Sequence, residues 1–298
     1  MNFFLSQGKL HPTPPFDFNK SLHFLRIFTP AQNDQLLAQN SLTKAISVNG
    51  QAIIIRIDST GSVDNPQLEY RLVSEQPINE DVKFAALDRA TFFLSLYDNL
   101  RPFYDIGEKD NHFTPILKSL YGYHQVKFAS PFENACWAVL IRQAPPALAR
   151  QMKDDLITCY GSAIIVNGRE FRAFPEPPHL SAIDEKELAR VLENETKAKQ
   201  IKSLARSFEE IDEEFLRAGP YEEVKRWLQN HDGLDARGAA FVLLRGLGRM
   251  EEEPIIDRKL VSAAHRFYGL LNQDTIPSIA EQYGQWQGYW SHYLRVAA

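Results

Sequence analysis

The fold is decided by Leu228-Gln229-Asn230-His231-Asp232-Gly233-Leu234-Asp235-Ala236-Arg237-Gly238-Ala239-Ala240-Phe241-Val242-Leu243-Leu244-Arg245-Gly246-Leu247-Gly248, followed shortly by Pro254-Ile255-Ile256-Asp257. Apolar residues recur at helical spacing on both sides of a short joint, His231 to Asp235. The spacing predicts helices over Tyr221–Asn230 and Ala236–Leu247, packed as a tight hairpin. Gly233 supplies the positive φ that such a turn requires. The second helix opens with exposed backbone N–H groups and the positive end of its dipole, where a phosphate fits. Asp257 then stands at the N-cap position of a further helix, Arg258–Leu271, and places one carboxylate at its mouth.

Upstream of the hairpin the chain reads as mostly helical. Phe132 to Arg142 carries Ala135, Val139 and Leu140 on one face and ends at Pro145-Pro146. Pro146 suits the first position of the next helix, through Leu148, Met152 and Leu156. Asn167 to Pro178, with three prolines, reads as a loop, and helices follow at Glu185–Glu193 and Lys197–Glu210. The acidic run Glu209 to Glu214 reads as a solvated helix face. The first third is different. Gln51–Asp58 is rich in β-branched residues, Leu68–Val73 alternates, and Asn49-Gly50 is a strong two-residue hairpin signal. From Asp81 the period becomes helical. The expectation is an α+β protein: an N-terminal antiparallel β-rich domain over 1–110 and an α-helical domain over 111–298.

The chain has 298 residues, with 33 Lys and Arg against 38 Asp and Glu, a formal charge of −5. That balance argues against a surface coated in basic groups. Two cysteines, Cys136 and Cys159, are too few for a Cys₄ zinc site or an iron–sulfur cluster. The eight histidines fall singly, without an HExxH pair, so a dedicated metal site has little support. The apolar stretch at Met1–Ser6 is too short for a signal peptide, and no run approaches the roughly 18–20 residues of a membrane span. A soluble, cytoplasmic protein is expected.

These pieces together resemble the helix-hairpin-helix family of DNA glycosylases. The family pattern is Leu-Pro-Gly-Val-Gly, an Ala-rich helix, an apolar Gly-containing segment, and Pro-Val/Ile-x-Asp opening another helix. Here it reads His231 to Asp235, Ala236 to Gly248, and Pro254-Ile255-Ile256-Asp257. Pro131 to Gln143 resembles the helix before the family's DNA-inserting turn, and Phe174-Pro175 with the helix from Glu185 resembles the segment that follows. Pro14 to Phe18, the β-rich first third and Trp286 to Ser291 narrow the likeness to the 3-methyladenine DNA glycosylase II branch. The sequence departs from the pattern where Leu-Pro becomes His231-Asp232 and the second Gly becomes Asp235. Two carboxylates there repel a phosphate, and Asp235 is equally a cap for the helix that follows.

The resemblance implies a base-excision-repair enzyme that flips a damaged nucleotide out of duplex DNA and cuts the bond from sugar to base. Its active-site cleft would lie between two helical lobes. Asp257 takes the place of the carboxylate that stabilises positive charge on the sugar. Some relatives use a lysine beside the hairpin as nucleophile. The matching position here is Arg237, whose guanidinium stays protonated and cannot attack, so a monofunctional hydrolase is expected. Alkylated purines are electron-poor, and aromatic faces select them; Phe241 is the first pocket candidate, followed by Tyr289 and Trp290. Gln143 is the expected filler of the gap left in the base stack. Gly233, Leu234, Asp235, Arg237, Arg245 and Lys259 are the expected DNA contacts. No cofactor or metal is implied, nor any membrane; the partner is double-stranded DNA met by a monomer, at the nucleoid if the source is bacterial.

Plainer readings stand beside these. Without the family, Asp257 is an ordinary N-cap, Phe241 is core packing, and Trp286 with Trp290 is a core pair. The stripe Lys197, Lys199, Lys202 and Arg206 is a solvated face or a contact to DNA backbone. On the same scaffold, a glycosylase for oxidised or deaminated bases, or a DNA-binding protein without catalysis, remains open.

Overall fold

The computed structural model describes residues 3–32, 34–252, 255–269 and 273–298. Pro254, the first residue of the quoted Pro-Ile-Ile-Asp segment, lies outside the described residues, as does Leu271, the expected end of the following helix.

The N-terminal part is a five-stranded antiparallel sheet: β1 (Phe4–Leu10), β2 (Gln35–Leu37), β3 (Ser41–Val48), β4 (Gln51–Ser59) and β5 (Leu68–Ser74), in the order β1-β5-β4-β3-β2. The Asn49-Gly50 turn sets its register, pairing Val48 with Gln51. Both turn residues have positive φ, 54° and 76°, as a two-residue hairpin twisted with its strands demands. Ile53, Ile55 and Ile57 of β4 enter the main core, whereas Ala52 and Ile54 face the other way. A second hairpin covers that other face: β6 (Ala163–Val166) and β7 (Arg169–Arg172), with Ile164 against Ile54. This hairpin corrects the expectation of a plain loop from Asn167. Its turn is Asn167-Gly168, again with positive φ at both residues.

The remainder is helical. Helix Pro131–Ile141 is buried along nearly its whole length, with Ser130 capping it and Pro131 at its first position. Helices Pro146–Tyr160, Glu195–Glu210, Tyr221–Gln229 and Ala236–Val242 pack around it. The acidic run is not one helix face. Helix Glu195–Glu210 stops at Ile211, and Asp212 caps a separate helix, Glu213–Ala218. The chain closes with Arg258–Tyr268 and Gln287–Ala297.

Among the described residues two large apolar cores result, beside the small one under the β6–β7 hairpin. One runs through helices from Phe128 to Leu247. The other joins the sheet and the helix Phe18–Ile27 to the C-terminal helices, through Leu260, Trp290 and Tyr293. A buried ion cluster ties the N-terminal part to the helices: Lys153 Nζ lies 2.5 Å from Asp34 and 2.6 Å from Glu133. Burial opposes charge on both Asp34 and Lys153. Lys153, with Lys44 and Arg150, nonetheless holds the Asp34 carboxyl below its usual range, and Asp34 with Glu133 holds the Lys153 ammonium above its own.

Candidate active site

A cleft of about 210 Å³ opens where the two cores meet. Three elements build it. Asp17 caps the helix Phe18–Ile27, whose last turn brings Phe24 and the adjoining Phe28 to one wall. The hairpin's second helix brings Phe241 and Leu244. The C-terminal helix brings His292, Arg295 and Val296, and Asp257 stands on the rim.

Asp257 caps the helix Arg258–Tyr268 through Oδ1, which accepts the Leu260 N–H at 2.8 Å. The same oxygen lies 3.6 Å from Arg295 Nε. No hydrogen bond from the described residues reaches Oδ2, and the side chain is 37% exposed. Arg295 is itself anchored, donating to the Ile255 and Ser291 carbonyls. Burial lowers the Arg295 pKa, and Asp257 opposes that shift. The rim therefore presents one carboxylate with a fixed backbone and a free oxygen.

The inner wall is cationic. Arg245 is buried; its Nη2 donates to the Val126 carbonyl at 2.6 Å, and Nη1 lies 3.4 Å from both ring nitrogens of His292. Its guanidinium carbon sits 4.9 Å from the Phe24 ring centre and 4.8 Å from that of Phe28. Burial pulls its pKa down to about 10, so it stays protonated at neutral pH. Burial, then the Arg245 charge, keeps His292 well below the usual histidine range and therefore neutral. Phe241 is half-buried and meets Phe128 edge-on.

The hairpin lies beside this cleft. Gly233 has φ 93°, and a Cβ there would come within 2.9 Å of Gln200 and 3.2 Å of Val139. Asp235 caps the second helix, accepting the Gly238 N–H at 2.8 Å, and its other oxygen lies 3.4 Å from Arg142 Nε. That helix widens into a π turn over Leu243–Leu247 and ends at Gly248. Arg142 leads into the turn that carries Gln143, an exposed residue with φ 55°. Arg237 and Lys259 are exposed, and Lys259 reaches the cleft rim.

Several expected site residues lie elsewhere. Tyr289 and Trp290 are core: the Tyr289 hydroxyl bonds Asp98, and Trp290 Nε1 donates to the Tyr268 hydroxyl at 2.8 Å. Helical rotation explains this, because His292 and Arg295 face the cleft from the same helix. Leu234 is buried, and its N–H closes the turn onto the His231 carbonyl, so its side chain offers DNA no surface. Arg245 lines the cleft's interior rather than the outer face. Lys197 is no surface cation. Its ammonium is buried and donates at 2.8 Å to both the Val139 and Arg142 carbonyls. Lys202 likewise bonds the Ile183 carbonyl. Phe24, Phe28, His292 and Arg295 carried no sequence signal beyond an i, i+4 aromatic pair. Among the described residues no cluster could hold a metal ion, and no helix is long and apolar enough to cross a membrane.

An antiparallel sheet, a helical body carrying a glycine-turned hairpin, and a capping aspartate at a cleft define a class. In the order of its motifs and in its fold, the chain resembles the helix-hairpin-helix DNA glycosylases. It is 23% identical over 287 residues to the DNA-3-methyladenine glycosylase of Bacillus subtilis (strain 168), covering 94% of this chain and 93% of that protein. The 3-methyladenine DNA-glycosylase from Archaeoglobus fulgidus superposes with a TM-score of 0.77 at 19% identity, covering 96% of this chain and 97% of that one. The Clostridium acetobutylicum 8-oxoguanine glycosylase/lyase, in complex with duplex DNA containing cytosine opposite 8-oxoguanine, gives 0.67 at 16%, covering 100% and 98%. No family model matches the sequence.

Proposed function

We propose that the protein is a monofunctional DNA glycosylase of base-excision repair. It hydrolyses the N-glycosidic bond of alkylated purines, of the 3-methyladenine and 7-methylguanine class, flipped out of duplex DNA. The observation that carries this reading is Asp257, a rim carboxylate with a free oxygen at an aromatic cleft beside the hairpin. The relatives named for 3-methyladenine support the lesion class.

In the reaction, the bond from C1′ to the purine nitrogen breaks and the base leaves with the electron pair. Asp257 stabilises the positive charge that develops on the sugar. Its free oxygen takes the proton of the water whose oxygen forms the new bond to C1′ and later releases it to solvent, while the alkylated purine, cationic in the nucleotide, leaves as the neutral base and needs no proton. Phe241 stacks on the flipped base, and Gln143 enters the gap it leaves. Hairpin amides and Arg237 hold the backbone of the duplex, which a single copy of the protein engages.

A second reading, an oxidised or deaminated base as lesion, is favoured by the guanidinium behind the aromatic wall. Incubation with duplexes carrying one lesion each tests the activity: free base and an intact abasic strand are expected. Lys259 brings an amine to the rim, so borohydride trapping is informative. A trapped protein–DNA adduct with strand cleavage would refute the monofunctional mechanism, and no base release from any lesion would refute the glycosylase.

A further inference from the structure

Lys44 carries its charge on the apolar face of its strand. In β3 its side chain shares a side of the sheet with Leu42, Ile46 and Val48, which enter the main core, and it pairs across the ladder with Ile55. It is 6% exposed. Among the described residues its ammonium makes no hydrogen bond and has no carboxylate within 4.0 Å; it lies 5.7 Å from the centre of the Phe93 ring. A buried charge without a direct partner is costly to a fold.

Lys44 lines a cavity of about 60 Å³ between β3 and the start of the helix Pro131–Ile141, with room for about four waters or one tetrahedral oxyanion. The cavity shares no lining residue with the Asp257 cleft. Four carboxylates also line it, and each is already held. Asp34 lies 2.5 Å from Lys153 and 2.8 Å from Arg150, and Glu133 lies 2.6 Å from Lys153. Lys44 acts on Asp34 only at longer range. Glu176 accepts from the Ser47 hydroxyl at 2.8 Å and the Gly50 N–H at 2.6 Å, and pairs with Arg89. Glu213 pairs with Arg217, and the Arg172 guanidinium on the same wall is taken by Glu170.

The helical body adds donors. The first position of the helix is Pro131, which has no N–H. The Glu133 N–H is taken by Ser130 Oγ at 3.1 Å, and the Asn134 N–H by the Ser130 carbonyl. The Phe132 N–H finds no acceptor among the described residues, and the Ser130 hydroxyl keeps its own proton to donate. Ser130 and Phe132 both line the cavity. The positive end of an 11-residue helix, a free amide, a hydroxyl proton and the Lys44 ammonium therefore border one small space. Donors set on separate elements suit an ion with several oxygens better than a single spherical one.

We infer that this cavity binds one small oxyanion of the phosphate or sulfate type, held by Lys44 from the sheet and by Ser130 and the Phe132 N–H from the helical body. The anion joins the two parts of the chain and supplies the counter-charge that Lys44 lacks. The inference is independent of the glycosylase reading.

The probe is inorganic phosphate, titrated calorimetrically into the intact protein at an ionic strength held constant with sodium chloride. Saturable binding of one phosphate per chain is expected at millimolar concentration, with a melting temperature that climbs with the logarithm of phosphate above the dissociation constant. General salting-out would act without saturation and equally on every variant. Lys44→Met puts an apolar chain on a core face and should weaken phosphate binding about tenfold or more, the loss of one charge-assisted hydrogen bond. It should melt at or above wild type in chloride and below it in saturating phosphate. Should Lys44→Met fail to fold, Ser130→Gly, which still serves as an N-cap, gives the same comparison: weaker phosphate binding with little change of melting in chloride is expected, and unchanged binding overturns the inference. The hairpin helix also attracts anions, so Arg237→Gln is the control and should bind phosphate as wild type does. No saturable binding to the wild-type protein overturns the inference, as does binding that Arg237→Gln abolishes and Lys44→Met retains. A Lys44→Met protein that melts below wild type by the same margin in chloride and in phosphate marks a structural lysine, and overturns it too.

Discussion

Asp257→Asn separates the two roles that one side chain holds. Its Oδ1 accepts the Leu260 N–H at 2.8 Å, and an asparagine oxygen keeps that bond. Asn and Asp are near-equal N-caps, so the helix loses only the interaction of the charge with its dipole, about 0.3–1 kcal/mol. Arg295 loses its counter-charge but keeps its bonds to the Ile255 and Ser291 carbonyls. The whole folding cost is therefore about 1 kcal/mol. The chemical cost is larger. A carboxylate about 4 Å from the developing charge on the sugar, at an effective dielectric near 20, contributes about 4 kcal/mol. That is roughly a thousandfold in rate. The assay is single-turnover release of free base with enzyme in excess, so product release does not mask chemistry, alongside urea unfolding of both proteins. An Asn variant that unfolds at nearly the same urea concentration yet releases base within about threefold of wild type would refute the reasoning. Asp257 would then be a cap and nothing more.

Other expectations follow from the same geometry. Gly233→Ala puts a Cβ 2.9 Å from Gln200 at a φ of 93°, and should cost about 1–3 kcal/mol in urea unfolding. Asp235→Ala removes the cap on Gly238 and should cost about 1 kcal/mol, while duplex affinity rises or holds because a negative charge has left the hairpin. Lys153→Met leaves Asp34 and Glu133 without their shared cation and should cost about 3–5 kcal/mol. The folded Asp34 pKa is depressed, so its contribution is complete above the unfolded value of about 3.9 and is lost as pH falls through the folded value. Thermal melts from pH 7 downward should thus show wild-type stability declining below about pH 4, with a shallower decline in Asp34→Asn.

Much of this architecture was legible because local rules wrote it. Asn49-Gly50 and Pro146 each act within a few residues of themselves, and the structure uses them as turn and helix start. The β6–β7 hairpin carried the same Asn-Gly signal as the first, but the prolines after it obscured the strands. The hairpin glycine and the aspartate at the mouth of the next helix were equally readable from spacing. The rest of the cleft was not. Phe24 and Phe28 come from a helix more than 200 residues before Asp257, and His292 and Arg295 from one more than 30 after it. Only long-range packing brings them together. Lys197 and Arg245 mislead for a related reason: a cation is read as exposed, and nothing in the sequence marks the carbonyls that receive it inside.

The ammonium of Lys197 has a consequence for how the protein would meet a duplex. It closes the C-terminal carbonyls of the helix Pro131–Ile141, one of them on Arg142, while the Arg142 side chain reaches Asp235 in the hairpin. The turn bearing Gln143 and the turn bearing Gly233 are thereby braced against each other, with Gln200 and Val139 filling the space beside the glycine. Such a brace works like a fixed caliper. The separation between the residue that would enter the base stack and the loop that would grip the strand is set when the chain folds, so an encounter with DNA requires little ordering of either turn.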